Sequence, residues 1–156
     1  LVMHGDNDFI AQAFYTSIGY AVPACLGAAI ANRDRRVIAF IGDGAFQMTG
    51  QEISTIIRKG LNPIIFLINN DGYTVERVIH EGPYNDIQPW KYHLLPQVFG
   101  DSWSCEVRTE GELEAALTLA KANTDRLSFI EVHFDRLDCC QGLVRLGKAL
   151  SAMDGL

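Results

Sequence analysis

With 156 residues, 48% of them apolar and 21% charged, the chain is long enough for one domain with a packed core and too apolar for a disordered segment. A net charge of −6 and a pI near 5.1 argue against a broad basic face for nucleic acid. No apolar run approaches the roughly 20 residues of a membrane span, and the opening LVMHGDNDF lacks the basic-then-apolar pattern of a secretory leader. Position 1 is leucine rather than methionine, which reads as a piece of something longer.

In chain order, Gly19 to Asn32 is small and apolar and suits a helix packed closely on a sheet. Arg36 to Ile41 is a continuous apolar run, predicted to be a parallel strand covered on both faces. The helix that follows carries Ile53, Ile56 and Ile57 on one stripe. Thr49 and Glu52 fit a capping box at its start, and Gly60 with Pro63 marks its end. Pro63 to Ile68 gives the second strand, Thr74 to His80 a short helix, and EGPYNDIQPW a loop. A helix over Leu94 to Phe99, a strand over Ser102 to Arg108 and an amphipathic helix over Glu110 to Ala122 come next. Leu127 to Phe134 is the last strand, and a helix over Cys140 to Ala152 closes the chain. This alternation predicts an α/β fold: a doubly wound, mostly parallel sheet with helices on both faces.

The four cysteines (Cys25, Cys105, Cys139, Cys140) show no C-x-x-C spacing, which fits a reduced, cytoplasmic protein. The histidines (His4, His80, His93, His133) form no zinc spacing. His80 and His93 read as structural or surface residues.

Ligands of such sheets bind beyond the carboxyl ends of the strands. Gly42-Asp43-Gly44 ends the first strand and Asn69-Asn70 the second. IGDGAF continues neither as G-x-G-x-x-G nor as a Walker A loop. Its glycines allow close approach of backbone, and the following helix would offer free N–H groups to an anion. Asp43 would repel a bare phosphate unless a divalent cation lay between them. Mg²⁺ takes oxygen ligands, a few from protein and the rest from phosphate and water. Asp43 offers a carboxylate, Asn70 an amide oxygen and Gly72 a backbone carbonyl. Asn-Asp-Gly is also ordinary turn chemistry by itself; what favours a metal turn is its pairing with GDG one strand away.

GDG, then 24 residues, then NN resembles the cofactor motif of thiamine-diphosphate-dependent enzymes. The stretch GDGAFQMTGQEISTIIRKGLNPIIFLINNDGYTVERVIHEGPYN is similar to the pyruvate and indolepyruvate decarboxylase family, with further likeness in TSIGYAVPACLGAA, in ANTD and in the Asp-Cys before the last helix. The resemblance covers nearly all of this chain but only the C-terminal third or so of a family member. It implies that Asp43, Asn70 and the Gly72 carbonyl hold Mg²⁺, which holds the thiamine diphosphate. Backbone N–H groups of Gly44, Ala45, Tyr73 and Thr74 would meet the phosphates, with Gly42 beside them. Ile18, flanked by Ser17, would bend the cofactor, and the Thr16 carbonyl would accept from its pyrimidine amino group. Val75 would line the substrate pocket, and Glu76 would relay protons as the catalytic carboxyl. Tyr84 and Trp90 would cover the site.

The sequence departs from the family at Ala45, where a serine is usual, at Thr16, where glycine is usual, and at Leu146, often aromatic. The family's pyrimidine-binding domain, with its glutamate and histidines, is absent from this sequence, so residues 1–156 are expected to be a single diphosphate-binding domain. It would be completed by a pyrimidine-binding domain in cis or trans, with a homo-oligomer as the expected assembly. The implied activity is non-oxidative decarboxylation of a small 2-oxo acid to an aldehyde, with no nucleic acid or membrane partner. YTVER leans toward the indolepyruvate branch and HEGPYN toward the pyruvate branch. A stand-alone non-catalytic binding domain and an acetolactate-synthase-type carboligase are the alternatives.

Overall fold

The computed structural model describes residues 9–12 and 15–153; His4 and most of the N-terminal LVMHGDNDF lie outside them. Helix α1 (Ala21–Ala31) leads into strand β1 (Ile38–Gly42), which passes into α2 (Asp43–Thr49) and α3 (Glu52–Arg58). Strand β2 (Ile64–Asn69) is followed by α4 (Thr74–Ile79), two 3₁₀ turns at Pro83–Asn85 and Tyr92–Leu94, and α5 (Leu95–Phe99). Strand β3 (Trp103–Val107), α6 (Glu110–Ala122), strand β4 (Ser128–His133) and α7 (Gln141–Met153) complete the chain.

The four strands form one parallel sheet in the order β1-β2-β4-β3. The chain steps from β1 to β2 in one direction and from β3 back to β4 in the other. Right-handed crossovers taken in opposite directions place their helices on opposite faces, and the core divides accordingly. On one face α1, α2 and α3 bury Val22, Cys25, Phe46, Ile53 and Ile56 against Ile41, Ile65, Leu67 and Phe129. On the other, Ala116 and Ala120 of α6 pack on Phe66, Val107, Ile130 and Val132. Phe46 meets Tyr92 edge-on at 5.8 Å and Phe129 at 5.5 Å; each such buried ring contributes about 1.5–3 kcal/mol. The reversal between β2 and β4 is the switch point at which sheets of this type open a crevice.

Two expectations are corrected. Strand β1 is covered on one face only: Ile38 and Phe40 remain 58% and 61% exposed, with Phe40 stacked on Phe66 at 5.0 Å. The α6 layer lies over β2, β4 and β3 and does not extend over β1. The Thr49–Glu52 capping box is also absent. Thr49 is the last residue of α2 and donates its hydroxyl to the Gly19 carbonyl at 2.7 Å. Gly50 and Gln51 keep helical backbone, so α2 runs almost directly into α3 and no extended cap residue exists there. The capping box of this fold belongs to α6, where Thr109 and Glu112 bond each other's backbone N–H. Ile53 and Ile56 are fully buried, as their stripe requires.

Candidate cofactor and metal site

Strands β1 and β2 are paired neighbours up to Gly42 and Ile68, so the segments beyond them lie side by side. GDG opens α2 directly, with Gly42 as an extended N-cap residue and Asp43 and Gly44 in the first turn. Asp43 is 1% exposed. Its Oδ1 accepts the Gly44 N–H at 2.8 Å and its Oδ2 accepts the Gly72 N–H at 3.0 Å. Burial pushes the Asp43 carboxyl above its ordinary range; the two N–H groups and the Arg77 charge oppose this, while the Asp71 charge adds to it.

The turn after β2 needs unusual backbone. Asp71 has φ +58 and Gly72 φ +128, the region that favours glycine. A Cβ on Gly72 would overlap the Asn85 carbonyl oxygen and lie 2.6 Å from Arg77 Nη2. Gly44 has a different reason: its Cβ would sit 2.5 Å from the Tyr73 ring, whose hydroxyl donates to the Gly44 carbonyl at 3.3 Å. The Tyr73 N–H donates to Asn85 at 3.0 Å and the Thr74 N–H to the Gly72 carbonyl at 3.1 Å. Thr74 is buried and gives its hydroxyl to the Arg136 carbonyl at 2.8 Å.

The groups that the sequence singles out therefore fall into two zones. Asp43, Gly44, Gly72, Tyr73 and Thr74 converge at the β1 and β2 ends, with Gly42, Ala45 and Asn70 half-buried beside them. Ser17 and Ile18 are held at the far end of α2, where Gly19 packs on Met48 and Thr49; a seven-residue helix sets these zones apart by about 10 Å. Thr16 has φ +43, a strained value for a β-branched residue at a position where glycine was expected. Val75 and Glu76 lie on the exposed side of α4, as do Ile18 and Leu146 on their own segments. The described residues thus leave Glu76 open to solvent.

Several participants carry no sequence signal. Arg77 is buried behind the turn, and Asn85 accepts bonds from both Tyr73 and Arg77. Asn69, which the sequence grouped with Asn70, points inward and donates to Glu131 at 2.7 Å. Glu131 also accepts the His93 N–H at 2.9 Å, and His93 Nδ1 lies 2.7 Å from the same oxygen. His133 Nε2 lies 2.7 Å from Glu106 without hydrogen-bond alignment. Arg108, His133 and His93 hold the Glu106 carboxyl below its ordinary value although burial works against them. His80 stacks on Tyr84.

Among the described residues no group of three His, Cys, Asp or Glu side chains could hold a metal. The site offers one carboxylate, one amide oxygen and one carbonyl. This all-oxygen set leaves positions for phosphate and water, which suits Mg²⁺. Asp43 supports the fit, because a buried carboxylate bonded only to backbone N–H groups is costly until a cation faces it.

Residues 1–132 match the family model for the thiamine pyrophosphate enzyme, C-terminal TPP binding domain. The chain belongs to that family. Thiamine diphosphate is thus the cofactor of the domain, and Mg²⁺ is its usual partner metal. Among relatives, the chain is 49% identical over 147 residues to an alpha-keto-acid decarboxylase of Mycobacterium avium, covering 92% of this chain and 26% of the relative. It is 49% identical over 146 residues to pyruvate decarboxylase 1 of Zea mays, covering 90% and 24%. A benzoylformate decarboxylase from Polynucleobacter necessarius shares the fold with TM-score 0.68 and 24% identity, over 78% of this chain and 24% of that one. The chain thus spans about a quarter of the length of these relatives, less than the third expected from the motifs. Among the described residues no helix is long and apolar enough to cross a membrane.

Proposed function

We propose that this chain is the diphosphate-holding domain of a thiamine-diphosphate-dependent 2-oxo acid decarboxylase, which releases an aldehyde once a pyrimidine-binding domain completes it. The observation that carries this reading is the buried Asp43 carboxylate joined to the Gly72 turn, with Asn70 beside it. The names of the relatives at 49% identity support the reaction class.

Asp43, Asn70 and the Gly72 carbonyl would hold Mg²⁺, and the N–H groups of Gly44, Ala45, Tyr73 and Thr74 would serve the phosphates beside Gly42. Those of Gly44, Tyr73 and Thr74 would first have to be shared with their present acceptors, Asp43, Asn85 and Gly72. When bound, thiamine diphosphate supplies the carbanion-stabilising chemistry by which CO₂ leaves. Glu76 holds and moves the proton at its carboxyl oxygen. The Thr16 carbonyl, beside Ser17, would accept from the cofactor's pyrimidine amino group, and Ile18 and Val75 present apolar surface that would exclude water once covered. Their exposure supports a second domain, or a second copy of the chain, over these residues. The free state of all four cysteines supports a reducing, cytoplasmic setting.

The test is to supply a pyrimidine-binding domain and offer pyruvate, phenylpyruvate and indolepyruvate. CO₂ and the matching aldehyde are expected, and Glu76→Gln should lower turnover by about 100-fold or more while cofactor binding persists. Acetolactate from pyruvate would make the enzyme a carboligase. Tight cofactor binding without turnover would make it a non-catalytic domain.

A further inference from the structure

We infer that Arg77 is a positioning residue for the metal turn: its guanidinium clamps the backbone of residues 70–72 so that the Asn70 amide and the Gly72 carbonyl face the ion together with Asp43. This deepens the diphosphate-site reading above and rests on it.

The Arg77 side chain is 0% exposed. A buried guanidinium normally demands carboxylates, yet most acceptors here are carbonyls of the turn and its support. Nη1 donates to Asn70 at 3.2 Å; Nη2 donates to Asp71 and, at 3.3 Å, to Asn85. The carboxylate partner, Asp86 at 2.9 Å, is itself 48% exposed and shared with Arg136. Nε has no partner. As an ion pair this is a poor investment; as a backbone clamp it is well formed.

The turn has need of one. Asp71 and Gly72 both have positive φ, and such backbone persists only where its surroundings over-determine it. The consecutive carbonyls of Asn70 and Asp71 both turn to the guanidinium, while the Gly72 N–H turns the other way, to Asp43. The turn is therefore held from both sides, and the Gly72 carbonyl is the first that Arg77 does not claim. Lysine has a point charge and no planar fork, so it cannot reproduce this set of bonds.

The test is Arg77→Lys in the full chain, read in two ways. In hydrogen exchange without cofactor, the Gly72 and Tyr73 amides should exchange roughly tenfold faster or more, while those of Leu67 and Ile130 in the sheet stay protected. In Mn²⁺ titration followed by electron paramagnetic resonance, with thiamine diphosphate present, the half-saturating Mn²⁺ concentration should rise about 10- to 100-fold. Cofactor affinity at saturating Mn²⁺ should be retained. Faster exchange of Leu67 and Ile130 together with a loss of both affinities would mean a fold-wide role and overturn the inference. Unchanged exchange and unchanged Mn²⁺ dependence would overturn it too. Should Arg77→Lys not fold, Asp86→Asn removes the carboxylate partner and must produce the same two shifts, smaller in size; no shift overturns the inference. If the wild-type chain holds no Mn²⁺, the diphosphate-site reading fails and the metal role of Arg77 falls with it. Exchange at Gly72 then reports separately whether the clamp exists.

Discussion

The Asp43 carboxylate and the Gly72 N–H meet at 3.0 Å across the ends of two neighbouring parallel strands. That bond joins an acidic residue at the start of α2 to a turn whose backbone only glycine adopts without strain. The two parts of the motif thus form one site before any ligand arrives. What remains open to solvent is Ile18 at the far end of α2 and Val75 and Glu76 on α4.

Gly72→Ala is expected to damage both stability and binding. The new methyl overlaps the Asn85 carbonyl and crowds Arg77 at a residue with φ +128. Strain of this kind costs about 1–3 kcal/mol, and Mg²⁺-dependent cofactor binding should be lost with it. Denaturant unfolding and calorimetric titration of the variant check both effects.

Gly147→Ala should lower both catalysis and binding. A Cβ at Gly147 would overlap the Val78 carbonyl oxygen, prising α7 from α4, where Ser151 also bonds the Ile79 carbonyl. Because α4 carries both Glu76 and Arg77, turnover in the completed enzyme should fall and Mg²⁺-dependent binding should weaken with it. Parallel turnover and titration measurements test this.

Arg36 provides a contrast at the opposite end of the sheet. It donates to the carbonyls of Asn62 and Ala120 at 2.7 Å and of Asn123 at 2.6 Å. Arg36→Met should destabilise the chain by about 2–3 kcal/mol, since it strands partly buried acceptors. Cofactor affinity at low temperature should not change. Thermal unfolding and titration together decide the point.

Stability should fall on the alkaline side. Burial raises the Cys25 thiol from 9.0 to about 12, and burial likewise raises the Tyr92 hydroxyl from 10.0 to about 12. Both groups are protonated in the fold, so their contribution is complete below the unfolded values and is lost as pH rises through 9–12. At pH 10.5 the Cys25 share of that loss is about 2 kcal/mol. Cys25→Ala should show a correspondingly shallower decline between pH 8 and 10.5 in denaturant titrations.

Much of this was legible in the residues. The apolar run Ile64–Leu67 announces a buried strand because successive side chains alternate between two covered faces. GDG and NN announce the strand ends because those residue types have few other uses side by side. Thr49-x-x-Glu52 misled because a capping pattern says nothing of whether the preceding residues are already helical. Arg77 was invisible: an arginine on a short polar helix looks solvated, and the carbonyls that bury it are defined only by the folded turn. Glu131 was hidden for a similar reason, since its partners Asn69 and His93 lie 62 and 38 residues away in sequence. The exposure of Ile38 and Phe40 could not be read either, because an apolar run does not reveal which of its faces is covered within the chain.

The central claim is that Asp43 anchors a divalent cation that holds the cofactor diphosphate. Calorimetric titration of the chain with thiamine diphosphate, with and without Mg²⁺ and repeated on Asp43→Ala, tests it most directly. Binding that requires Mg²⁺ and disappears in the variant is the predicted result. Binding that is indifferent to Mg²⁺, or that survives the loss of Asp43, would contradict the account.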